Sequence, residues 1–171
     1  MTNLKKLLAV IIVVAMMATL GLPALAAEMT DAEICKTIGI LKGSGTGVDA
    51  DYLAADTTRL QAVILTLRFM GKEADALAYE GTDSFSDAAD VWWAGGQKIL
   101  AYLKANPDLG WIGYTDGTFK PTSVASAKMI YKVLLVALGY VEGVDFTWAN
   151  VLSFAASKGL FKVADKDMMS N

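Results

Sequence analysis

The segment Trp111-Ile112-Gly113-Tyr114-Thr115-Asp116-Gly117-Thr118-Phe119-Lys120-Pro121 constrains this chain most, because it returns in weaker form elsewhere. It reads as a Gly-x-x-Asp-Gly-Thr-Phe-x-Pro turn that feeds an apolar helical run from Val124 to Leu138. A diverged copy spans Gly43 to Leu53 and continues through Thr58 to Met70. A partial third copy starts near Phe146. A repeated unit of this size cannot bury its apolar face alone, so neighbouring units must stack.

The pattern within the units is helical. Thr30-Asp31-Ala32-Glu33 supplies an N-cap and a carboxylate three residues on, a helix-start signature, with Ile34, Ile38 and Leu41 as its apolar side. Gly43-Ser44-Gly45-Thr46-Gly47 predicts a loop. A helix from Asp56 or Thr57 to Met70 follows from Leu60, Val63, Ile64, Leu67 and Met70 at helical spacing, with Gly71 as its C-cap and a short helix over 72–79. Asp87 is expected to cap a helix over 88–105 whose buried stripe is Trp92, Gly96, Ile99 and Leu103; Asn106-Pro107-Asp108 stops it. Thr122 or Ser123 then caps a helix with Val124, Ala127, Tyr131, Leu134 and Leu138 on one face, ended by Gly139. A last helix runs over 149–158. No segment alternates strictly, so only one or two bridging residues of extended pairing are expected. The fold class is all-α, a bundle of helix–loop–helix units.

Residues 1–26 read as a secretory signal peptide: Lys5 and Lys6, an uncharged apolar core from Leu7 to Leu20, a break at Gly21 and Pro23, and small residues at Ala24-Leu25-Ala26. The core is short for a membrane span of roughly 20 residues, so cleavage after Ala26 and no membrane association afterwards are expected. Lys5 and Lys6 are two of the 15 basic residues, which leaves 13 against 18 acidic beyond the leader. An acidic exported chain is a poor polyanion binder. Nucleic acid is therefore not an expected partner, and an anionic ligand would need a local basic pocket. The single cysteine, Cys35, rules out an intramolecular disulfide, and the absence of histidine removes the commonest general base and transition-metal ligand. Serine–histidine, cysteine–histidine and zinc-hydrolase chemistries are excluded. Asp49-Ala50-Asp51 lacks the further oxygen ligands of a calcium loop. No metal, no cofactor and no enzymatic activity are expected. Asp87 with Asp90 and Glu73 with Asp75 are the only pairs that suggest glycosidase carboxylates, and nothing sets them across a cleft.

Phe85-Ser86-Asp87, Trp92, Ile99-Leu100, Leu103, the Gly113–Pro121 turn and the helix ending Leu138-Gly139 together resemble the S-layer homology (SLH) repeat. Gly39-Ile40-Leu41-Lys42-Gly43 is similar to that family's Gly-Ile-x-x-Gly step, and Thr58-Arg59-Leu60-Gln61 to its Thr-Arg-Ala-Glu helix start. The resemblance divides the chain into repeat 1 over residues 28–80 (mainly its second half), repeat 2 over 84–142 and a partial repeat 3 over 145–171. It implies a pseudo-trimeric helical arrangement with the third unit incomplete. It also implies a secreted, non-enzymatic protein of the bacterial cell wall or S-layer, attached non-covalently to an anionic secondary cell-wall polymer that often carries pyruvyl ketals. The alternative is a structural, self-assembly or protein-interaction scaffold that has lost polymer binding and whose partners are other envelope proteins. The family tethers further domains and this chain shows none, so a truncated product with uncovered apolar helix faces is expected.

The resemblance implies a ligand-binding role for Arg59, the one match to the family's arginine. Ser126 stands at the corresponding place in repeat 2, with Lys128 nearby as a point charge. A guanidinium suits a pyruvyl carboxylate, and backbone amides at a helix start add anion affinity. Thr58, Gly43, Asp116, Gly117 and Trp111 complete the candidate set. Asp116-Gly117 also suits a plain turn. Trp93 or Trp111 is the candidate stacking platform for a sugar, whereas Trp92 and Trp148 are expected in the core.

Overall fold

The computed structural model describes residues 29–43 and 47–160. The leader expected over 1–26, the middle of the glycine-rich loop and the part of the third unit beyond residue 160 lie outside the described residues. The chain divides into two compact units, Met1–Asp31 and Ala32–Asn171.

The described residues are mostly helical. The α-helices are α1 (Asp31–Thr37), α2 (Ala50–Ala54), α3 (Arg59–Phe69), α4 (Glu73–Leu77), α5 (Ala94–Ala105), α6 (Ala127–Ala137) and α7 (Val151–Ser157), with single 3-10 turns at Ala88–Asp90 and Pro107–Leu109. Extended pairing among the described residues is limited to isolated bridge residues; the bridges include Thr58 with Val124 and Glu142 with Phe146. The all-α expectation is met at this level. No helix among the described residues is long and apolar enough to cross a membrane.

Helix α4 packs on α5, α3 on α6, and α6 on α7. One core gathers Val63 and Leu67 of α3, Ile99, Leu100 and Leu103 of α5, Trp111, Phe119 and Val133. A second gathers Tyr131 and Leu135 of α6 with Phe146, Val151 and Ala155. Helix α6 thus serves both cores through residues on different sides, which is why its sequence is apolar nearly all round. Each fully buried Leu, Ile, Val or Phe contributes about 1.5–3 kcal/mol relative to exposure.

The structure shifts several expected boundaries, and each shift has a cause. The helix expected over 88–105 is broken. Asp87 does not cap it, because its carboxylate oxygens accept from the Phe119 and Lys120 amides at 2.8 and 2.7 Å. Only a 3-10 turn forms at Ala88, and α5 starts at Ala94. Trp92 therefore leaves the helical stripe and is 94% exposed, while Gly96, Ile99 and Leu103 are buried as expected. The helix expected from Val124 starts at Ala127, with Ser126 as its cap, because the preceding residues are engaged elsewhere. Ser123 O accepts from Arg59 N at 2.8 Å, and Ala125 N donates to Thr57 O at 2.8 Å. Residues 50–54, for which spacing predicts no helix, form α2, and Asp49 caps it by accepting from Tyr52 N at 2.8 Å. Helix α1 buries none of its side chains, so Ile34 and Ile38 stay exposed and Cys35 is half-buried.

Candidate functional site

Helix α3 starts with a full capping box. The Thr58 hydroxyl accepts from Gln61 N, and the Gln61 side chain accepts from Thr58 N at 2.8 Å. The next two amides, of Arg59 and Leu60, donate to Ser123 O and Pro121 O. The donors that a helix start normally leaves open are thus occupied by the chain itself. The expectation that these amides would hold an anion is corrected accordingly. Thr58 is a capping residue here.

The Arg59 side chain is the anomaly of the molecule. The residue is 4% exposed, yet none of the ion pairs among the described residues includes it. Its Nε donates to Phe119 O at 2.8 Å, one terminal nitrogen to Ile112 O at 3.2 Å, and the other to the Met129 thioether at 3.0 Å. Its guanidinium carbon lies 4.5, 4.9 and 5.6 Å from the ring centroids of Phe119, Tyr114 and Trp111. Burial pushes its pKa below the ordinary value, against the favourable fields of Tyr114 and Asp87; at such a basic group the charge persists at neutral pH. A guanidinium has five N–H donors, and the three bonds named leave donor capacity on both terminal nitrogens. A buried cation held by carbonyls and ring faces without a carboxylate is costly and attracts an anion.

Arg59 reaches a cavity of about 340 Å³ whose walls include Trp111, Tyr114, Met129, Lys132, Glu142 and Trp148. Trp111 forms an inner wall. It is 2% exposed, and its indole N–H donates to Thr66 Oγ1 at 2.8 Å, so its expected role as an exposed platform is corrected. Trp148, expected in the core, is 44% exposed, and Tyr114 is similarly open; these two offer ring faces at the cavity. Lys120 Nζ sits 4.3 Å from the Tyr114 ring centroid and Lys128 Nζ 5.7 Å from that of Trp148. Lys132 Nζ pairs with Glu142 at 2.8 Å. A chain that is acidic overall therefore gathers cations at one aromatic cleft.

The turn that places these groups depends on Gly113, which also lines the cavity. A Cβ there would lie 2.5 Å from Phe85 Cε1 and 2.8 Å from Thr118 O. Tyr114 N donates to Thr118 O at 2.8 Å, closing the turn. Asp116 accepts from the Thr118 hydroxyl and amide at 2.6 and 2.9 Å. Those two bonds, the hydroxyl's first, are the main reasons why its carboxyl lies below the ordinary range. Asp116 and Gly117 (φ 81°) shape the turn and do not line the cavity. Neither does Gly43, where a Cβ would collide with the Gly47 carbonyl.

The carboxylate pairs weighed for hydrolysis are occupied structurally. Asp87 holds the two amides described above, and Glu73 bonds Lys42 and Arg68 at 2.7 and 2.8 Å. No group of metal-binding side chains occurs among the described residues. The structure thus brings Arg59 and Trp111 of the candidate set to one cleft, and adds Tyr114, Lys132, Glu142 and Trp148. Lys132 carries a usable signal, as the one charged residue in the otherwise apolar run between Met129 and Tyr140. Glu142 and Trp148 reach the cleft through chain geometry that spacing does not encode.

No protein-family model matches the chain, and no curated protein matches it.

Proposed function

We propose that this chain is a secreted, non-enzymatic envelope protein whose helix–loop–helix units are SLH-type repeats, arranged pseudo-trimerically with the third unit incomplete. On this reading the cleft at Arg59 attaches it non-covalently to an anionic secondary cell-wall polymer. The single observation that carries the proposal is a buried guanidinium without an ion-pair partner among the described residues, opening on a cleft lined by two partly exposed aromatic residues. A sugar bearing one carboxylate meets both needs: the carboxylate takes the remaining N–H donors of Arg59, and the ring lies against Tyr114 or Trp148.

Co-sedimentation of the protein lacking residues 1–26 with purified sacculi tests this. Binding is expected to intact walls and not to walls stripped of secondary polymer with hydrofluoric acid. Arg59→Lys keeps the charge but loses the fork of donors, and Tyr114→Ala removes a ring face; both are expected to release most of the bound protein. Equal binding to stripped and intact walls, or no binding at low and moderate salt, refutes the proposal.

A second reading has its own observation. Arg59 already ties the 112–119 segment to α3 through the Ile112 and Phe119 carbonyls, which is a sufficient structural task. If that is its whole role, the units are a scaffold for self-assembly or for other envelope proteins. Arg59→Lys then lowers stability and leaves wall association unchanged.

A further inference from the structure

Within the cleft, one of the two lining cations is already matched. Lys132 Nζ contacts Glu142 Oε2 at 2.8 Å, and the two side chains are only 13% and 35% exposed. Glu142 belongs to neither helix. It sits on the short turn between α6 and α7, and that turn is pinned. Gly143 N donates to Phe146 O at 2.7 Å, Val141 N to Asp145 Oδ2 at 2.8 Å, and Asp145 N to Val141 O at 2.8 Å. Phe146, the bridge partner of Glu142, is 1% exposed in the second core. The backbone that carries Glu142 is therefore fixed, and its carboxylate, through the ion pair, occupies the place at Lys132 that a second ligand anion would take.

We propose that Glu142 is the selectivity residue of this cleft: its carboxylate occupies Lys132 and leaves Arg59 as the unmatched cation of the cavity lining, so that the site favours ligands with a single negative charge over dianions. The inference rests on the reading of the cleft as an anion site. It follows from charge matching at close range, where a like charge beside a bound anion works against it. A sugar carboxylate needs only Arg59. A sugar phosphate monoester near neutral pH brings nearly two charges, and the second meets Glu142.

The test is calorimetric titration of the protein lacking residues 1–26 with two probes: a methyl hexoside carrying one pyruvyl ketal, and the same hexoside carrying a phosphate monoester. Wild type is expected to bind the ketal more tightly than the phosphate. Glu142→Gln frees Lys132 and is expected to tighten phosphate binding by tenfold or so, the equivalent of about 1.4 kcal/mol, with a smaller gain for the ketal. Glu80→Gln, which removes the same charge at the distant Lys98 pair, is expected to change neither. In the Lys132→Gln/Glu142→Gln double variant the phosphate gain is expected to vanish. If wild type binds the ketal and Glu142→Gln shows no phosphate gain, or Glu80→Gln shows the same gain, the role of Glu142 is overturned while the anion-site reading stands. If neither wild type nor Glu142→Gln binds either probe, both fall.

Discussion

Replacing Asp87 by asparagine isolates the contact on which the cleft depends. Its two carboxylate oxygens accept from consecutive amides, Phe119 N at 2.8 Å and Lys120 N at 2.7 Å, and Lys120 is held at φ 58°, a conformation uncommon outside glycine. That grip fixes the Phe119 carbonyl, which is the acceptor for Arg59 Nε. The amide of asparagine keeps one acceptor oxygen and turns an NH2 toward the other backbone N–H. One bond to a charged acceptor is lost and one weakened. Bonds to charged groups contribute about 1.5–3 kcal/mol each, and Lys120 N is exposed, so the expected loss is about 1.5–3 kcal/mol in total. For a domain of this size that corresponds to a fall in Tm of about 3–12 °C, read by circular dichroism and checked against the urea midpoint. The field of Asp87 favours the charged form of Arg59, so the same change in an Arg59→Met background is expected to cost less, by about 0.5–1 kcal/mol. An Asp87→Asn protein within about 0.5 kcal/mol of wild type would refute the view that this carboxylate builds the turn.

Further expectations follow from other contacts. Thr66→Val keeps the shape of the side chain but leaves the buried Trp111 N–H without its acceptor at 2.8 Å, so urea denaturation is expected to show a loss of about 1–3 kcal/mol. Gly113→Ala forces Phe85 or the Thr118 carbonyl to move, with an expected cost of about 1–3 kcal/mol and disturbed Tyr114 resonances. Glu73 gives an acid-lability prediction. Burial raises its carboxyl pKa, but hydrogen bonds and charges from Lys42 and Arg68 outweigh burial and hold it below the ordinary value. The stabilisation is present above the unfolded pKa of about 4.3 and is lost as pH falls through the lower folded value. Glu73→Gln should flatten the acid limb of a Tm–pH profile; an unchanged limb refutes the assignment.

The sequence made the helices visible wherever one face repeats over three turns. The spacing of Leu60, Val63, Ile64 and Leu67 marks α3, and Ile99 with Leu103 marks the second half of α5. The failures come from partners distant in the chain. Trp92 reads as a core residue only if a helix begins at Ala88; the Phe119 and Lys120 amides claim Asp87 and end that helix before it forms. Trp111 reads as a surface ring until Thr66, 45 positions away, supplies an acceptor for its indole. Val124 reads as helical until its neighbours pair with Thr57 and Arg59. The site divides the same way. Arg59 stands out by residue type within a helix-start motif, but the carbonyl and thioether partners that hold it, and the cleft it opens on, come from segments 53, 60 and 70 positions further along. Local periodicity carries none of that.

Reception of a singly charged sugar by the Arg59 cleft can be read at the lining residues themselves. A heteronuclear NMR titration of the protein lacking residues 1–26, with a purified pyruvylated fragment of the secondary polymer, tests it most directly, because Arg59 Nε–H and the indole N–H groups of Trp111 and Trp148 report from inside the cleft without any substitution. Saturable shifts are expected, confined to these signals and the amides of residues 110–114, with the Trp92 indole unmoved. Saturation with no movement of the Arg59 Nε–H, or shifts centred elsewhere on the molecule, would contradict it.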